Sequence, residues 1–304
     1  MEIKNWSYEE FPAYEENVPG AVRLKTTGEE IGVYYRPNVV YANPGGFELH
    51  LQLLVPFTRN EPERLWPALA FVQGSAWMKQ DVYKSCAMLG NLARRGYTVA
   101  IVEYRHSGIA PFPAQVEDAL QAIRFLRAHA AAYSINPEQI FISGCSSGGQ
   151  VAMFCGLNQQ EPEVRVCGIL NYYGAVNLLM DDGFPSTPNH HQPDSPEGML
   201  MGGRDLRREP ELRKAATVEC HITPETALPP VLIFHGTKDR TVSARQSVSL
   251  YRKLISCKKE AYLYLLEGAD HGGAEFWTDE ACQVADRFMR GCLNQPGAHS
   301  PGNE

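Results

Sequence analysis

The stretch QIFISGCSSGGQVAMF, residues 139–154, joins an apolar run to a helical pattern through a turn of small residues. QIFIS predicts a buried strand and QVAMF predicts a helix, with Gly144 to Gly148 as the turn. A strand, a Gly-x-Ser-x-Gly turn and a helix are the context of a nucleophile elbow, which exposes its central serine above the sheet. A flexible Gly/Ser linker, the alternative, would not be flanked by two buried elements. Ser146 is therefore the candidate nucleophile, at a helix N-terminus that favours negative charge.

A serine hydroxyl needs a histidine base and an acid that orients this base. After a nucleophile elbow, the acid and then the histidine follow along the chain. Asp239 follows the apolar run PVLIFHG and His271 follows AYLYLLEG, so both come after predicted strands. Active sites of open α/β sheets gather at these strand ends. We predict Asp239 as the orienting acid and His271 as the base.

The chain also contains other candidates for these two roles. Asp270 is an alternative acid, although adjacent loop residues rarely point the same way. His235 ends a predicted strand and precedes Asp239, so it is interpreted as structural. His190 and His191 either line the pocket or are solvated.

Attack on a carbonyl group also needs backbone amides that stabilise the oxyanion. The elbow supplies one from the residue after the nucleophile, Ser147. The loop after the strand ALAFVQ, residues 74–77, is predicted to supply another, because its small side chains let the backbone approach a substrate. Candidates for the substrate pocket are Gly74, Trp77, Tyr172 and Trp277, with a core position as the alternative for the aromatic residues.

Apolar strand patterns and amphipathic helix patterns alternate along most of the chain. The predicted strands are 47–56, 68–74, 97–104, 138–143, 166–174, 230–236 and 261–268. The predicted helices are 81–96, 113–133, 150–157, 243–255 and 275–293. Most of these strands are apolar without polar alternation and so are predicted to be buried. This pattern indicates an α/β protein with a mostly parallel, doubly wound sheet and helices on both faces.

The alternation indicates a single domain over residues 1–293. The first ~45 residues contain few clear elements. Residues 175–228 are rich in proline and are predicted to form an inserted cap or long loop between two core strands, the sixth and seventh of the fold. Residues 294–304 have no core-forming residues and are predicted to be disordered.

Composition argues against several classes of protein. The 304 residues are 44% hydrophobic and carry a net charge of −7 without a basic stripe, which argues against nucleic-acid binding. No stretch reaches the roughly 18 apolar residues of a membrane span, and the N-terminus lacks the apolar core of a signal peptide. We expect a soluble, cytoplasmic protein, and a homo-oligomer is compatible with these patterns. The eight cysteines form no CxxC pair or zinc-ligand spacing, so we expect free thiols and no metal or cofactor.

Together these motifs resemble the α/β-hydrolase superfamily, in its hormone-sensitive-lipase-like and BD-FAE (acetylxylan and feruloyl esterase-like) group. The stretches that carry the resemblance are QGSAW (73–77), YRHSGIAPFPA (104–114), GCSSGG (144–149), DRTV (239–242) and GADHGG (268–273). They lie within a similarity that covers residues 47–292.

One departure from the group lies in the first of these stretches. The group has His-Gly-Gly-Gly where this chain has Gln73, Gly74, Ser75 and Ala76. The resemblance implies that the amides of Ser75 and Ala76, with Ser147, form the oxyanion hole, and that Gln73 replaces the hydrogen bonds of the missing histidine.

The resemblance implies hydrolysis of carboxylic esters through an acyl-enzyme on Ser146. The partner would be a small-molecule ester with a small acyl group or a carbohydrate-linked acyl group, such as acetyl or feruloyl. An amide or peptide hydrolase of arylformamidase-like or peptidase-like type is the alternative on the same fold, although the chain has no separate propeller domain. A non-catalytic binding protein is a third hypothesis, which the presence of all three candidate triad residues disfavours.

Overall fold

Residues 3–180, 183 and 185–294 are described by a computed structural model, and they form an α/β fold around one central sheet. Its strands are β1 (Gly32–Ala42), β2 (Leu49–Phe57), β3 (Trp66–Val72), β4 (Thr98–Val102), β5 (Ile135–Cys145), β6 (Ile169–Tyr172), β7 (Val231–Gly236) and β8 (Ala261–Leu266). The α-helices in these residues are α1 (Cys86–Ala93), α2 (Ala114–Ala128), α3 (Ser147–Gly156), α4 (Pro196–Leu200), α5 (Pro210–Ala215), α6 (Ala244–Ser256) and α7 (Asp279–Asn294).

The strand order in the sheet is β1-β2-β4-β3-β5-β6-β7-β8. The pairs β1–β2 and β2–β4 are antiparallel, and all the other neighbouring pairs are parallel. The carboxyl ends of parallel strands lie at one edge of a sheet, so the loops after β3, β5, β7 and β8 meet there. The mostly parallel, doubly wound sheet predicted from the sequence is confirmed.

Helices cover both faces of the sheet. Successive side chains of the inner strands point to opposite faces, so each strand contributes to the core on both sides. In β3, Ala70 and Val72 belong to the core cluster that also contains side chains of α2, α3 and α6. Leu69 and Phe71 belong to a second cluster, with side chains of α1 and α7. Burial on both faces is why these strands are continuous apolar runs.

The two edge strands differ from the predictions. β1 lies within the first ~45 residues, where few elements were predicted, and its side chains are mostly exposed. It pairs with β2 through register shifts, one of them between Arg36 and Val39. β8 was predicted to be buried, but Tyr262, Tyr264 and Leu265 are 45%, 43% and 46% exposed, since this strand has a neighbour on one side.

The segment 175–228 lies between β6 and β7 and carries α4, α5 and short 3-10 turns. Val176, Leu200 and Val218 anchor it to the core cluster on the side of α3 and α6. The predicted disordered tail, residues 294–304, lies outside the described residues except for Asn294, which is the last residue of α7.

Candidate active site

The turn between β5 and α3 holds Ser146 in a strained backbone conformation. Its φ is 53° and its ψ is −126°, outside the regions that residues other than glycine normally occupy. The Ser146 amide donates to the Tyr172 carbonyl at 2.9 Å, and the Ser146 carbonyl accepts from the Gly149 amide at 2.9 Å. These main-chain bonds hold Ser146 in this strained conformation. Such backbone strain is typical of functional turns.

The glycines on either side of Ser146 are required by close backbone approaches. A Cβ on Gly144 would lie 2.1 Å from the Gly148 carbonyl oxygen. A Cβ on Gly148 would lie 2.0 Å from the carbonyl oxygen of Val72. Any side chain at either position would force β3, β5 and the start of α3 apart.

The side chains of Ser146, His271 and Asp239 form a continuous hydrogen-bonded row. His271 Nε2 lies 2.9 Å from Ser146 Oγ, and His271 Nδ1 lies 2.7 Å from Asp239 Oδ2. An ionised carboxylate only accepts hydrogen bonds, so His271 donates from Nδ1 and its Nε2 accepts from the Ser146 hydroxyl. This is the tautomer that a general base for Ser146 needs. The three residues follow the ends of β5, β7 and β8.

Asp239 is buried and is held as a carboxylate by several donors. Its Oδ1 accepts from the amides of Thr241 at 2.9 Å and Val242 at 2.8 Å. Burial alone would raise the pKa of Asp239, but hydrogen bonds from His235, His271 and Val242 outweigh burial and hold the pKa well below its usual range. The carboxylate therefore stays charged opposite His271.

His235, which the sequence suggested was structural, contacts the acid directly. Its ring is fully buried, and its Nε2 lies 3.2 Å from Asp239 Oδ2 and 3.0 Å from the Val242 carbonyl oxygen. Both neighbours are acceptors, so Nε2 carries a proton and donates. Its Nδ1 lies 2.7 Å from Ser247 Oγ on α6. The sequence signal for this contact was a histidine at the end of a predicted strand, four residues before the acid.

The three amides predicted for the oxyanion hole have different surroundings. The Ser75 amide donates to Ser147 Oγ at 3.0 Å, so a protein acceptor already occupies it. The Ser147 amide lies in the first turn of α3, where amides have no partner within the helix. Ala76 has a φ of 54°, and in the described part of the chain its amide has no protein acceptor.

Tyr104 braces this loop and was not singled out from the sequence. Its buried hydroxyl lies 2.9 Å from Ser75 Oγ and 3.4 Å from Ser147 Oγ. Ser75 Oγ donates to the Met78 carbonyl, so the Tyr104 hydroxyl donates to Ser75 Oγ. Burial raises the pKa of Tyr104 to about 12, so this donor keeps its proton near neutral pH.

Gln73, the first residue of the loop after β3, has both ends of its side-chain amide bonded. Its Oε1 accepts from Ser85 Oγ at 2.9 Å, and its Nε2 donates to the Asp81 carbonyl. The Gln73 carbonyl accepts from Gln80 Nε2 at 2.9 Å. These bonds tie the loop after β3 to the chain that leads into α1.

A cavity of about 590 Å³ opens beside the row of three side chains. Its polar and small lining residues are Gln73, Gly74, Ser75, Ala76, Ser85, Cys145, Ser146, Thr241, His271, Gly272, Gly273 and Ala274, and its larger ones are Lys84, Met88, Tyr173 and Trp277. The cavity therefore gives a ligand access both to Ser146 and to the loop that carries Ala76.

Comparison with known proteins identifies the family. The BD-FAE family model matches residues 52–254, about two thirds of the chain. The chain belongs to the BD-FAE family. The match includes Ser146 and Asp239 and ends before His271, which the structure brings to both of them.

Relatives of this BD-FAE chain are esterases by name. Esterase LipC of Mycobacterium tuberculosis is 27% identical over 86% of this chain and 65% of its own length. A probable isoprenylcysteine alpha-carbonyl methylesterase of Oryza sativa is 29% identical over 73% of this chain and 54% of its own length. The chain thus spans between about half and two thirds of these relatives.

A solved structure confirms the fold predicted from the resemblance. A truncated carbohydrate esterase from gut microbiota superposes with a TM-score of 0.77 at 25% identity, covering 88% of this chain and 99% of that one. The protein has the α/β-hydrolase fold.

Two of the four predicted pocket residues of this BD-FAE protein lie elsewhere. Gly74 and Trp277 line the cavity. Trp77 is buried in the core instead, where its Nε1 donates to Gln150 Oε1 at 2.9 Å. Tyr172 is stacked against Trp277 at 4.9 Å, behind the lining residue. The core position that the sequence left open for the aromatic residues therefore applies to Trp77 and Tyr172.

The carboxylate of Asp270, the alternative acid, and the ring of the insert residue His190 bond to side chains other than that of His271. Asp270 accepts from the Arg240 amide at 3.0 Å and pairs with Arg240 Nε at 2.7 Å, and these bonds lower the pKa of Asp270 to about 2. His190 lies 2.8 Å from Glu197 Oε1 and 2.8 Å from Ser186 Oγ. No described residue of the insert lines the cavity.

The described ranges hold neither a metal-binding cluster nor a membrane-spanning helix. Within residues 3–180, 183 and 185–294, no three His, Cys, Asp or Glu side chains are grouped so that they could hold a metal ion. In the same residues, no helix is both long and apolar enough to cross a bilayer.

Proposed function

We propose that this BD-FAE protein hydrolyses carboxylic esters through a covalent acyl-enzyme on Ser146. The observation that carries the proposal is the hydrogen-bonded row from Ser146 Oγ through His271 to the buried Asp239 carboxylate. Family membership supports ester chemistry, as do the names of LipC and the methylesterase.

In acylation, His271 Nε2 takes the proton of Ser146 as Oγ bonds to the ester carbonyl carbon. The amides of Ala76 and Ser147 stabilise the negative charge that develops on the carbonyl oxygen. Asp239 stabilises the imidazolium, which then gives its proton to the leaving oxygen as the carbon–oxygen bond breaks. Water repeats the sequence with His271 as base, which releases the acid and restores the Ser146 hydroxyl.

The proposed substrates are esters with a small acyl group or a carbohydrate-linked acyl group, such as acetyl or feruloyl. The volume of about 590 Å³ lies within the range of roughly 300–1,000 Å³ that ligand pockets usually have. The structural similarity to a carbohydrate esterase supports a sugar-linked ester. Acetylated sugars, feruloyl esters and medium-chain esters, measured on one preparation, rank the acyl groups. The anilide that matches the fastest ester tests amide hydrolysis, and an equal rate on both would favour the amidase alternative.

The role of Ser146 is tested with Ser146→Ala and with Ser256→Ala, an exposed serine at the end of α6, as a matched control. We expect Ser146→Ala to lower kcat on p-nitrophenyl acetate by about a thousandfold or more and to abolish labelling by a fluorophosphonate probe. The control should keep both properties. Undiminished turnover by folded Ser146→Ala protein would refute the proposed mechanism, and absent labelling of the native protein would favour a binding protein.

A further inference from the structure

Lys84 is the one lining residue of the cavity with a permanent charge among those described. It lies in the turn between β3 and α1, and its side chain is exposed. The other lining residues are neutral at physiological pH, apart from His271, which cycles between charge states in the proposed reaction. A ligand in the cavity therefore meets one permanent charge among the described lining residues, and this charge is positive.

The ammonium group of Lys84 is not used by the fold. In the described ranges, no carboxylate oxygen lies within 4.0 Å of it and it donates no hydrogen bond to a protein acceptor. Lys214, in contrast, is paired with Glu211 at 3.0 Å. The charge of Lys84 is free to pair with a ligand.

The field of Lys84 reaches the nucleophile elbow. Burial raises the pKa of Cys145, the residue before Ser146, while hydrogen bonding from the Gly74 amide and the positive charge of Lys84 act in the opposite direction. Cys145 also lines the cavity. Lys84 therefore acts electrostatically on the residue next to Ser146.

The net negative charge of the whole chain makes a positive charge at the cavity important for anionic ligands. The chain carries a formal charge of −7, which disfavours the approach of anions. A local positive charge at the cavity offsets this repulsion only for ligands that enter the cavity. Met88, Ala274 and Trp277 also line the cavity and offer apolar contact to the neutral part of such a ligand.

We propose that Lys84 selects esters that carry a carboxylate, on either their acyl or their alcohol part, by pairing with that carboxylate in the cavity. The proposal rests on the proposed esterase function and names its substrate class. Acidic-sugar esters and half-esters of dicarboxylic acids have this chemistry. Lys84 acts on substrate binding and takes no part in bond breaking.

The test compares two matched substrate pairs. The acyl pair is p-nitrophenyl monoglutarate and p-nitrophenyl hexanoate, in which an ethyl group replaces the carboxylate. The alcohol pair is meta-acetoxybenzoate and meta-acetoxybenzamide. The proteins are the native chain, Lys84→Met, Lys84→Arg and the control Lys79→Met, which removes an exposed lysine outside the cavity lining.

We expect Lys84→Met to lower kcat/KM for the anionic member of at least one pair by about fivefold, mainly through KM, as for an exposed ion pair. The neutral members should change little, Lys84→Arg should keep the anionic preference, and Lys79→Met should behave like the native chain. About 1 M salt, where the Debye length is about 3 Å, should remove much of the preference. The pair that responds identifies the side of the ester that carries the carboxylate.

An unchanged ratio of anionic to neutral turnover in Lys84→Met, for both pairs, would overturn the proposal. This outcome is distinct from failure of the proposed function, because loss of the esterase assignment would show as no Ser146-dependent hydrolysis of the neutral esters.

Discussion

A second histidine, His235, lies beside Asp239. Its Nε2 proton is shared between the Val242 carbonyl oxygen at 3.0 Å and Asp239 Oδ2 at 3.2 Å, while two backbone amides bind Oδ1. Each donor withdraws negative charge from the carboxylate that His271 contacts. His235 is therefore a positioning residue, which helps to fix where Asp239 lies beside His271.

Replacing His235 should lower the rate of the proposed reaction. In His235→Phe, Asp239 loses the contact that helps to hold it beside His271. We expect kcat on p-nitrophenyl acetate to fall about tenfold with little change in KM. His235→Gln keeps a donor and should lie between the two proteins. A native kcat in folded His235→Phe would contradict this role.

The depressed pKa of Asp239 also makes a prediction about stability. A carboxyl group with a pKa below its unfolded value stabilises the fold above that value, about 3.9, and the contribution is lost as the pH falls through the folded pKa. Asp239→Asn does not titrate there. The free energy of unfolding of the native chain should exceed that of Asp239→Asn near neutral pH, and the difference should shrink below about pH 4. Urea unfolding over this range measures it, and a constant difference would argue against the assigned cause.

At the scale of single elements, the elbow depends on how closely β3 and α3 approach. Gly148→Ala places a methyl group against the Val72 carbonyl and should destabilise the chain by about 2 to 3 kcal/mol, with loss of activity. Gly90→Ala is the matched control, since Gly90 lies within α1 with open space around its Cβ position, and it should stabilise by about 1 kcal/mol. Thermal and urea unfolding compare the two. If Gly148→Ala stabilised the chain as much as Gly90→Ala does, helix propensity would determine the effect at Gly148, and the close approach to Val72 would not.

The elements themselves were predictable where both faces are covered. β3 to β7 are apolar runs because each is buried on two sides, and the glycine pattern around Ser146 has meaning only between a strand and a helix. β1 left no such run, since its side chains mostly face solvent and its register shifts near Arg36. β8 has an apolar sequence although Tyr262 and Tyr264 are exposed, so apolar composition alone could not identify it as an edge.

Across the whole molecule, the chain order Ser146, Asp239, His271 was readable because parallel strands end at one edge. The residues that contact and position these three side chains could not be predicted from the sequence. His235 and Tyr104 reach the site from the core, and the Ser147 hydroxyl occupies the Ser75 amide through a contact between residues 72 positions apart. Such contacts depend on side-chain directions after packing, which a residue pattern does not specify.

The row of three side chains also requires the loops after β7 and β8 to stay in register, and one exposed ion pair joins them. Arg240 follows Asp239, Asp270 precedes His271, and Arg240 Nε lies 2.7 Å from Asp270 Oδ2. Asp270→Asn keeps an acceptor for the Arg240 amide and removes the charge. Because exposed pairs contribute at most about 1 kcal/mol, kcat should fall by no more than about fivefold. The difference from the native chain should shrink in about 1 M salt.

The matched control for this pair is Asp205→Asn, which removes the partly buried carboxylate that pairs with the exposed Arg207 in the insert. It should leave kcat unchanged at any salt concentration. If Asp270→Asn and the control behave alike, the loops are held in register by their backbone bonds, such as that from the Lys238 amide to the Ala269 carbonyl at 3.0 Å. A salt-dependent loss confined to Asp270→Asn would instead show that surface charge aligns two residues of a buried site.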